Sequence, residues 1–103
     1  VERDEKRAKY YYELAAMGGN VEARHNLGCV EDDAGNMKRA VKHWMIAANA
    51  GYDDSLNEFK ECFVNGYATK DDFEKALRAH KEAKDEMKSA LRERVAYELS
   101  KRR

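Results

Sequence analysis

His25 and Cys29 are the two residues of this sequence whose types and spacing best suit metal chemistry. Residues four apart on a helix lie on one face, so an imidazole and a thiolate at this spacing could bind the same ion. Zinc needs four protein ligands, or three and a water molecule, and no second pair stands at a suitable spacing. Ligand count therefore predicts that both residues belong to the core or the surface, and that the chain binds no metal or other cofactor.

Side chains that could perform catalysis are present, but no pattern brings them together. A cysteine nucleophile needs a base within hydrogen-bond reach, and no sequence motif supplies one. The acidic pairs Asp32-Asp33 and Asp53-Asp54 suit turns and helix caps better than catalytic carboxylates. Gly18-Gly19 fits a helix end better than a phosphate-binding loop. We predict a chain without catalytic residues, which is not an enzyme.

Three consecutive tyrosines, Tyr10-Tyr11-Tyr12, are the feature most open to a binding role. They span about 200° around a helix, so they cannot all face the core. Tyrosine is common at binding surfaces because it joins a large contact area to a polar tip. The pattern leaves two interpretations open: a contact site for another molecule, or partly exposed aromatics beside a groove between helices.

Charge and apolar content limit the function classes. The 103 residues include 20 basic and 20 acidic side chains, so no net field attracts nucleic acid or anionic lipid. No apolar run approaches the ~18 residues of a membrane span, and the N-terminus lacks the apolar stretch of a secretory signal. Cys29 and Cys62 are too few and too far apart for a disulfide framework. We predict one intracellular, cytoplasmic domain, residues 1–103, that binds neither nucleic acid nor membrane.

The absence of proline and the many Ala, Lys, Glu and Arg residues are typical of helices joined by short turns. Apolar residues recur three or four apart within each candidate helix. Gly19 and Gly51 stand where a helix would end in a left-handed turn. We therefore expect an all-α protein with helices near residues 3–17, 21–33, 37–50 and 53–65, and a last helix from about residue 70.

A repeated spacing divides the chain into units. The leading alanines Ala8, Ala40 and Ala76 stand 32 and 36 residues apart, and the third copy lacks the glycine of the first two. We place repeats at about 3–35, 36–67 and, in part, 70–88, followed by a C-terminal helical extension over 89–103. The first two copies match at equal offsets: Ala8 with Ala40, Tyr11-Tyr12 with His43-Trp44, Ala15-Ala16 with Ala47-Ala48, Gly19 with Gly51, Ala23 with Ser55, and Leu27 with Phe59.

These offsets resemble the Sel-one-like repeat (SLR), a relative of the tetratricopeptide repeat. The similarity covers residues 8 to about 83, although Ser55 replaces an alanine and the first linker is short. The resemblance implies a short right-handed α-solenoid of helix-turn-helix repeats that serves other proteins as a scaffold or adaptor, and it brings no catalytic residues. The similarity is carried by Ala8, Tyr11, Tyr12, Ala15, Ala16, Gly19, Ala23, Leu27 and Gly28 in the first copy, and by Ala40, Trp44, Ala47, Ala48, Gly51, Phe59, Phe63, Gly66, Lys75 and Ala76 after it.

The last predicted helix is longer than the repeat helices. Neither glycine nor proline occurs from Asp71 to Arg103, so a continuous helix would reach roughly 50 Å. Its distal half carries an apolar stripe that the preceding repeats cannot cover. Either the helix bends near Ser89 and folds back, or the stripe packs on another chain. The stripe consists of Met87, Leu91, Val95 and Leu99.

Two functions follow from these patterns. The first is a non-catalytic protein–protein interaction scaffold or adaptor, whose first helices line a concave face for a protein or peptide partner. The alternative is a self-associating structural module, a homo-oligomer held through the C-terminal helix. RNA binding by a helical repeat is a weaker third option, because phosphate contacts favour a basic chain. The candidate contacts are Tyr10, Tyr11, Lys42 and His43 for a partner, and Met87, Leu91, Val95 and Leu99 for self-association.

Overall fold

The computed structural model describes residues 2–102 of the chain, with side chains described for residues 4–102. The all-α class is confirmed, and the predicted helix limits agree with the observed ones to within one residue. Val1 and Arg103, which the predicted domain includes, lie outside the described residues. The five helices are α1 (Glu2–Met17), α2 (Val21–Asp33), α3 (Met37–Asn49), α4 (Asp53–Val64) and α5 (Lys70–Ser100).

Helices α1 and α3 end in the same geometry. Gly19 and Gly51 have φ angles of 92° and 97°, the left-handed region in which a Cβ atom is strained. The residue after each glycine donates its N–H to the carbonyl five positions earlier, at 3.0 Å and 3.1 Å. These are the helix-terminating turns that the sequence predicts. Helix α5 has Met87 at the same offset from its leading alanine, and it continues past that position.

The helices pack in sequential order, with α3 at the centre. Helix α1 packs on α2, α2 on α3, α3 on α4 and α4 on α5, and α3 also packs on α5. Small residues at the leading positions let the helix backbones approach closely, and both Ala40 and Ala76 are fully buried. Two core clusters result: one of Ala40, Trp44, Phe59, Cys62 and Ala76, and one of Ala16, Ala23 and Leu27.

Trp44 is the largest side chain of the core, and it lies directly against the backbone of α2. A Cβ atom at Gly28 would overlap the indole ring, so only glycine fits there. The repeat offsets predict that Tyr12 is buried as Trp44 is, and this is right only in part, because Tyr12 is half-buried. Tyr12 packs on the smaller cluster of α1 and α2, whereas Trp44 belongs to a cluster built from α3, α4 and α5.

Helix α5 is continuous over 31 residues, or about 46 Å. The alternative of a bend near Ser89 is wrong, because this helix contains neither glycine nor proline and its residues are mostly strong helix formers. Thr69 caps its start by accepting the Asp72 N–H at 3.1 Å. Every described side chain from Asp85 onward is exposed, so the distal half of α5 extends beyond the packed helices.

Candidate functional site

Tyr10 and Tyr11 lie on the outer face of α1 and are 58% and 64% exposed. Their rings meet edge to face, with centroids 5.8 Å apart. Tyr12 turns toward α2 and packs on the cluster of Ala16, Ala23 and Leu27. Two of the three consecutive tyrosines therefore form an exposed aromatic pair, as the geometry of a helix requires.

His43 and Lys42 occupy the corresponding positions of α3. Lys42 is exposed, whereas His43 is half-buried and its Nδ1 lies 3.5 Å from Nη1 of Arg24. An arginine only donates, so Nδ1 of His43 accepts and its Nε2 carries the proton. Burial, and then the nearby Arg24 charge, lower the pKa of His43 below its usual value of 6.5. His43 is therefore neutral at pH 7, with Nε2–H as its remaining donor.

The tyrosine pair and the Lys42–His43 pair lie on neighbouring helix faces. Lys9 and Glu13 of α1 are close enough to His43 to influence its pKa. No hydrogen bond or ring contact between the described residues joins Tyr10 or Tyr11 to the α3 pair. The structure therefore brings the four predicted contact residues to adjoining parts of the surface without linking them directly.

Glu31 is a buried charged residue beneath this surface, and the sequence analysis did not identify it. Its carboxylate accepts from Lys9 Nζ at 2.8 Å and from Asn36 Nδ2 at 2.9 Å, while the side chain is 3% exposed. The hydrogen bond from Lys9 is the main reason that the pKa of Glu31 lies below its usual value of 4.5. A signal was present: Ala23, Leu27 and Glu31 stand four apart on the buried face of α2.

His25, Cys29 and Ser55 form a polar chain between α2 and α4. Sγ of Cys29 lies 3.6 Å from Nε2 of His25, whose Nδ1 lies 2.7 Å from Oγ of Ser55. Burial raises the pKa of the Cys29 thiol above 9.0, so the sulfur is protonated at neutral pH. A protonated thiol is a poor nucleophile and a poor metal ligand. The arrangement therefore ties α2 to α4 and lacks an activated sulfur.

Cys62 is the second free thiol, and it is buried in the core. Burial raises its pKa to about 11. Within the described residues, no group of three or more His, Cys, Asp and Glu side chains could hold a metal ion. No helix of the described chain is both long and apolar enough to cross a membrane.

Asp53 fastens the start of α4 to α5. Its carboxylate receives Nε2 of His80 at 2.7 Å and Nζ of Lys84 at 3.1 Å. The hydrogen bond from Lys84, followed by that from His80, lowers the pKa of Asp53 below 3.8. The acidic pair was predicted to serve a turn or cap; Asp53 does lie in the first turn of α4, but its side chain contacts another helix. Asp32 and Asp33 are the last two residues of α2 and are exposed.

The predicted self-association residues form an exposed stripe on the distal half of α5. A Cβ atom built on Gly51 would lie 2.9 Å from Cε of Met87, so Met87 marks the point where α5 leaves the packed body. Beyond it, a shallow groove is lined by Leu91, Arg94, Val95, Glu98, Leu99 and Arg102. The exposed fractions are 53% for Met87, 63% for Leu91, 48% for Val95 and 59% for Leu99.

Comparison with known proteins adds no relative to this description. No family model matches the chain, and neither the curated proteins nor the solved structures contain a significant match.

Proposed function

We propose that this chain is a non-catalytic scaffold or adaptor that binds a protein or peptide partner through SLR-type helical repeats. The observation that carries the proposal is the exposed Tyr10–Tyr11 pair on α1, in register with Lys42 and His43 on α3. Two aromatic rings in contact offer apolar area with polar edges, beside one cation and one neutral donor. This chemistry suits contact with another protein rather than catalysis.

A right-handed α-solenoid is the architecture that this proposal uses. Three observations support it: the sequential packing of the helices, the additional packing of α3 on α5, and the matched glycine ends of α1 and α3. In such a stack α1, α3 and the start of α5 would form one face, and α2 and α4 the other. Tyr10, Tyr11, Lys42 and His43 would then lie on the first, concave face.

A site-specific crosslink tests the surface. Replacing Tyr11 with the photoreactive p-benzoylphenylalanine should crosslink a partner that the same replacement at Tyr67 does not. Tyr67 is a matched control because it is 57% exposed but lies just before α5. With the partner identified, Tyr10→Ala and His43→Ala should each weaken its binding about tenfold, and Tyr67→Ala should not. Unchanged binding in both α1 and α3 variants would show that this surface is not the site.

As a second candidate we propose self-association through the distal half of α5. The specific observation in its favour is that this half-helix contacts nothing while exposing four apolar side chains in one stripe. An isolated helix of this length is marginal in water, so pairing would stabilise it. Light scattering over a hundredfold range of concentration should detect the oligomer, and Leu91→Lys with Leu99→Lys should abolish it. An unaltered mass in that double variant would contradict this candidate.

A further inference from the structure

The apolar stripe on the distal half of α5 is symmetric along the helix. Met87, Leu91, Val95 and Leu99 are evenly spaced by four residues, so the stripe has its midpoint at position 93. If two copies of α5 lie antiparallel with their midpoints together, Met87 of one copy faces Leu99 of the other, and Leu91 faces Val95. The stripe therefore fits a second copy of itself in the antiparallel orientation without any change of register.

The charges within the stripe have the same symmetry. A helix turns about 100° per residue, so the stripe spans about 120° from Met87 to Leu99, and Lys88 and Glu98 fall inside this arc. Both are exposed, and neither forms an ion pair within the described residues. Their midpoint is also position 93. Antiparallel pairing places Lys88 opposite Glu98 twice, whereas parallel pairing in register places each beside its own like charge.

The position of the packed body agrees with this orientation. The repeats cover α5 only as far as Met87, which touches Gly51. In the antiparallel arrangement each helix ends, near residue 99, where the body of the other copy begins. The two bodies then lie at opposite ends of the paired helices, while a parallel arrangement would bring them side by side.

We infer that the distal half of α5 binds a second copy of this chain in antiparallel orientation, with reciprocal Lys88–Glu98 pairs. The inference rests on the proposed self-association and specifies its partner and geometry. Its consequence is a dimer that carries two Tyr10–Tyr11 surfaces at opposite ends. Such a dimer can hold two partner molecules at once and gains avidity for a partner with two binding sites.

A charge swap tests the orientation. The dimer dissociation constant is measured by sedimentation equilibrium at low salt for the native chain, Lys88→Glu, Glu98→Lys and the double swap. Each single change turns both attractive pairs into repulsive ones, so the constant should rise about tenfold. The double swap should restore it to within about threefold. Lys60→Glu and Glu61→Lys, at exposed positions of α4, are the matched controls and should have no effect.

The outcomes separate the orientation from self-association itself. A native chain that stays monomeric at every concentration overturns both. A dimer that Leu91→Lys dissociates but that neither single charge change weakens overturns the antiparallel geometry and leaves self-association standing, because parallel pairs are like-charged before and after each change. Circular dichroism of each variant checks that α5 stays helical, so that loss of the dimer is not loss of the fold.

Discussion

Glu31 shows how one residue can join three helices of a small protein. It lies on α2, its carboxylate pairs with Lys9 of α1, and it accepts from Asn36 at the start of α3. A buried carboxylate is stable only while such partners are present, because water cannot replace them. The attachment of α1 to the rest of the molecule therefore depends on this polar contact as well as on the small cluster of Ala16, Ala23 and Leu27.

Removing the cation should expose this dependence. Lys9→Ala leaves the Glu31 carboxylate buried with only Asn36, and we expect the free energy of unfolding to fall by about 1–3 kcal/mol. Urea unfolding followed by circular dichroism measures the change. Lys6→Ala is the matched control, because Lys6 is exposed, and it should cost less than about 0.5 kcal/mol. Equal stabilities of the two variants would contradict the role of the Lys9–Glu31 pair.

The same pair predicts a pH dependence. The pKa of Glu31 is lower in the folded chain than its usual 4.5, so the folded state favours the ionised carboxylate. This contribution to stability is complete above about pH 4.5 and is lost as the pH falls through the folded pKa. Urea midpoints measured from pH 7 to pH 3 should therefore fall further for the native chain than for Glu31→Gln. Parallel curves for the two proteins would show that Glu31 does not contribute in this way.

The contact between Gly28 and Trp44 should not tolerate a methyl group. Gly28→Ala forces the indole ring or α2 to move, and we expect a loss of about 1–3 kcal/mol. Gly18→Ala is the same substitution where a Cβ atom meets only ordinary contacts, and it should change stability by less than about 1 kcal/mol. Adding Trp44→Phe should recover part of the Gly28→Ala loss. A Gly28→Ala variant as stable as Gly18→Ala would contradict the close packing.

At the scale of elements, α5 consists of two halves with different surroundings. The proximal half buries Ala76, packs Phe73 on Phe63 with ring centroids 5.0 Å apart, and is held by Asp53 through His80 and Lys84. The distal half has no buried side chain. Local stability follows packing rather than helix propensity, so the two halves should differ although they form one helix.

Amide hydrogen exchange should reveal this difference. At concentrations where the chain is monomeric, backbone amides of residues 74–84 should exchange more slowly than those of residues 89–100, by about tenfold or more. Asp53→Asn should raise exchange in the proximal half, because the carboxylate that receives His80 and Lys84 is lost. Uniform protection along the whole helix in the monomer would contradict the division into two halves.

At the scale of the whole molecule, the core should be independent of the distal helix. A chain ending at Ser89 loses no buried side chain, and its Tm at low concentration should stay within about 4 °C of the native value. A chain ending at Lys75 loses the buried Ala76 and should unfold at a much lower temperature. A large fall of Tm on removal of residues 90–103 would mean that this segment folds back on the body.

The helices were predictable because their signals are local. Residue spacing, the absence of proline and the glycines at positions 19 and 51 depend only on nearby residues, and the helix limits agree with the structure to within one residue. Of the candidate contacts, the exposure of Tyr10 and Tyr11 also follows from helix geometry alone, since three consecutive side chains cannot share one face.

The contacts between distant residues were not predictable from the sequence. Glu31 meets Lys9, Asp53 meets His80 and Lys84, and Gly28 receives Trp44, although nothing in the sequence pairs these residues. Such pairs depend on how far each helix is rotated and shifted against its neighbour, and that is set by the packing of the whole core.

Spacing and composition by themselves therefore determined the helices, their ends and the two exposed candidate surfaces. Only the tertiary structure decided that α5 runs straight past Gly51, that Glu31 is buried with partners, and that Cys29 is a protonated thiol. The physical reason is the range of the interactions. Helix formation and termination act over a few residues, whereas burial and the pKa of a side chain depend on groups that are brought together only when the chain folds.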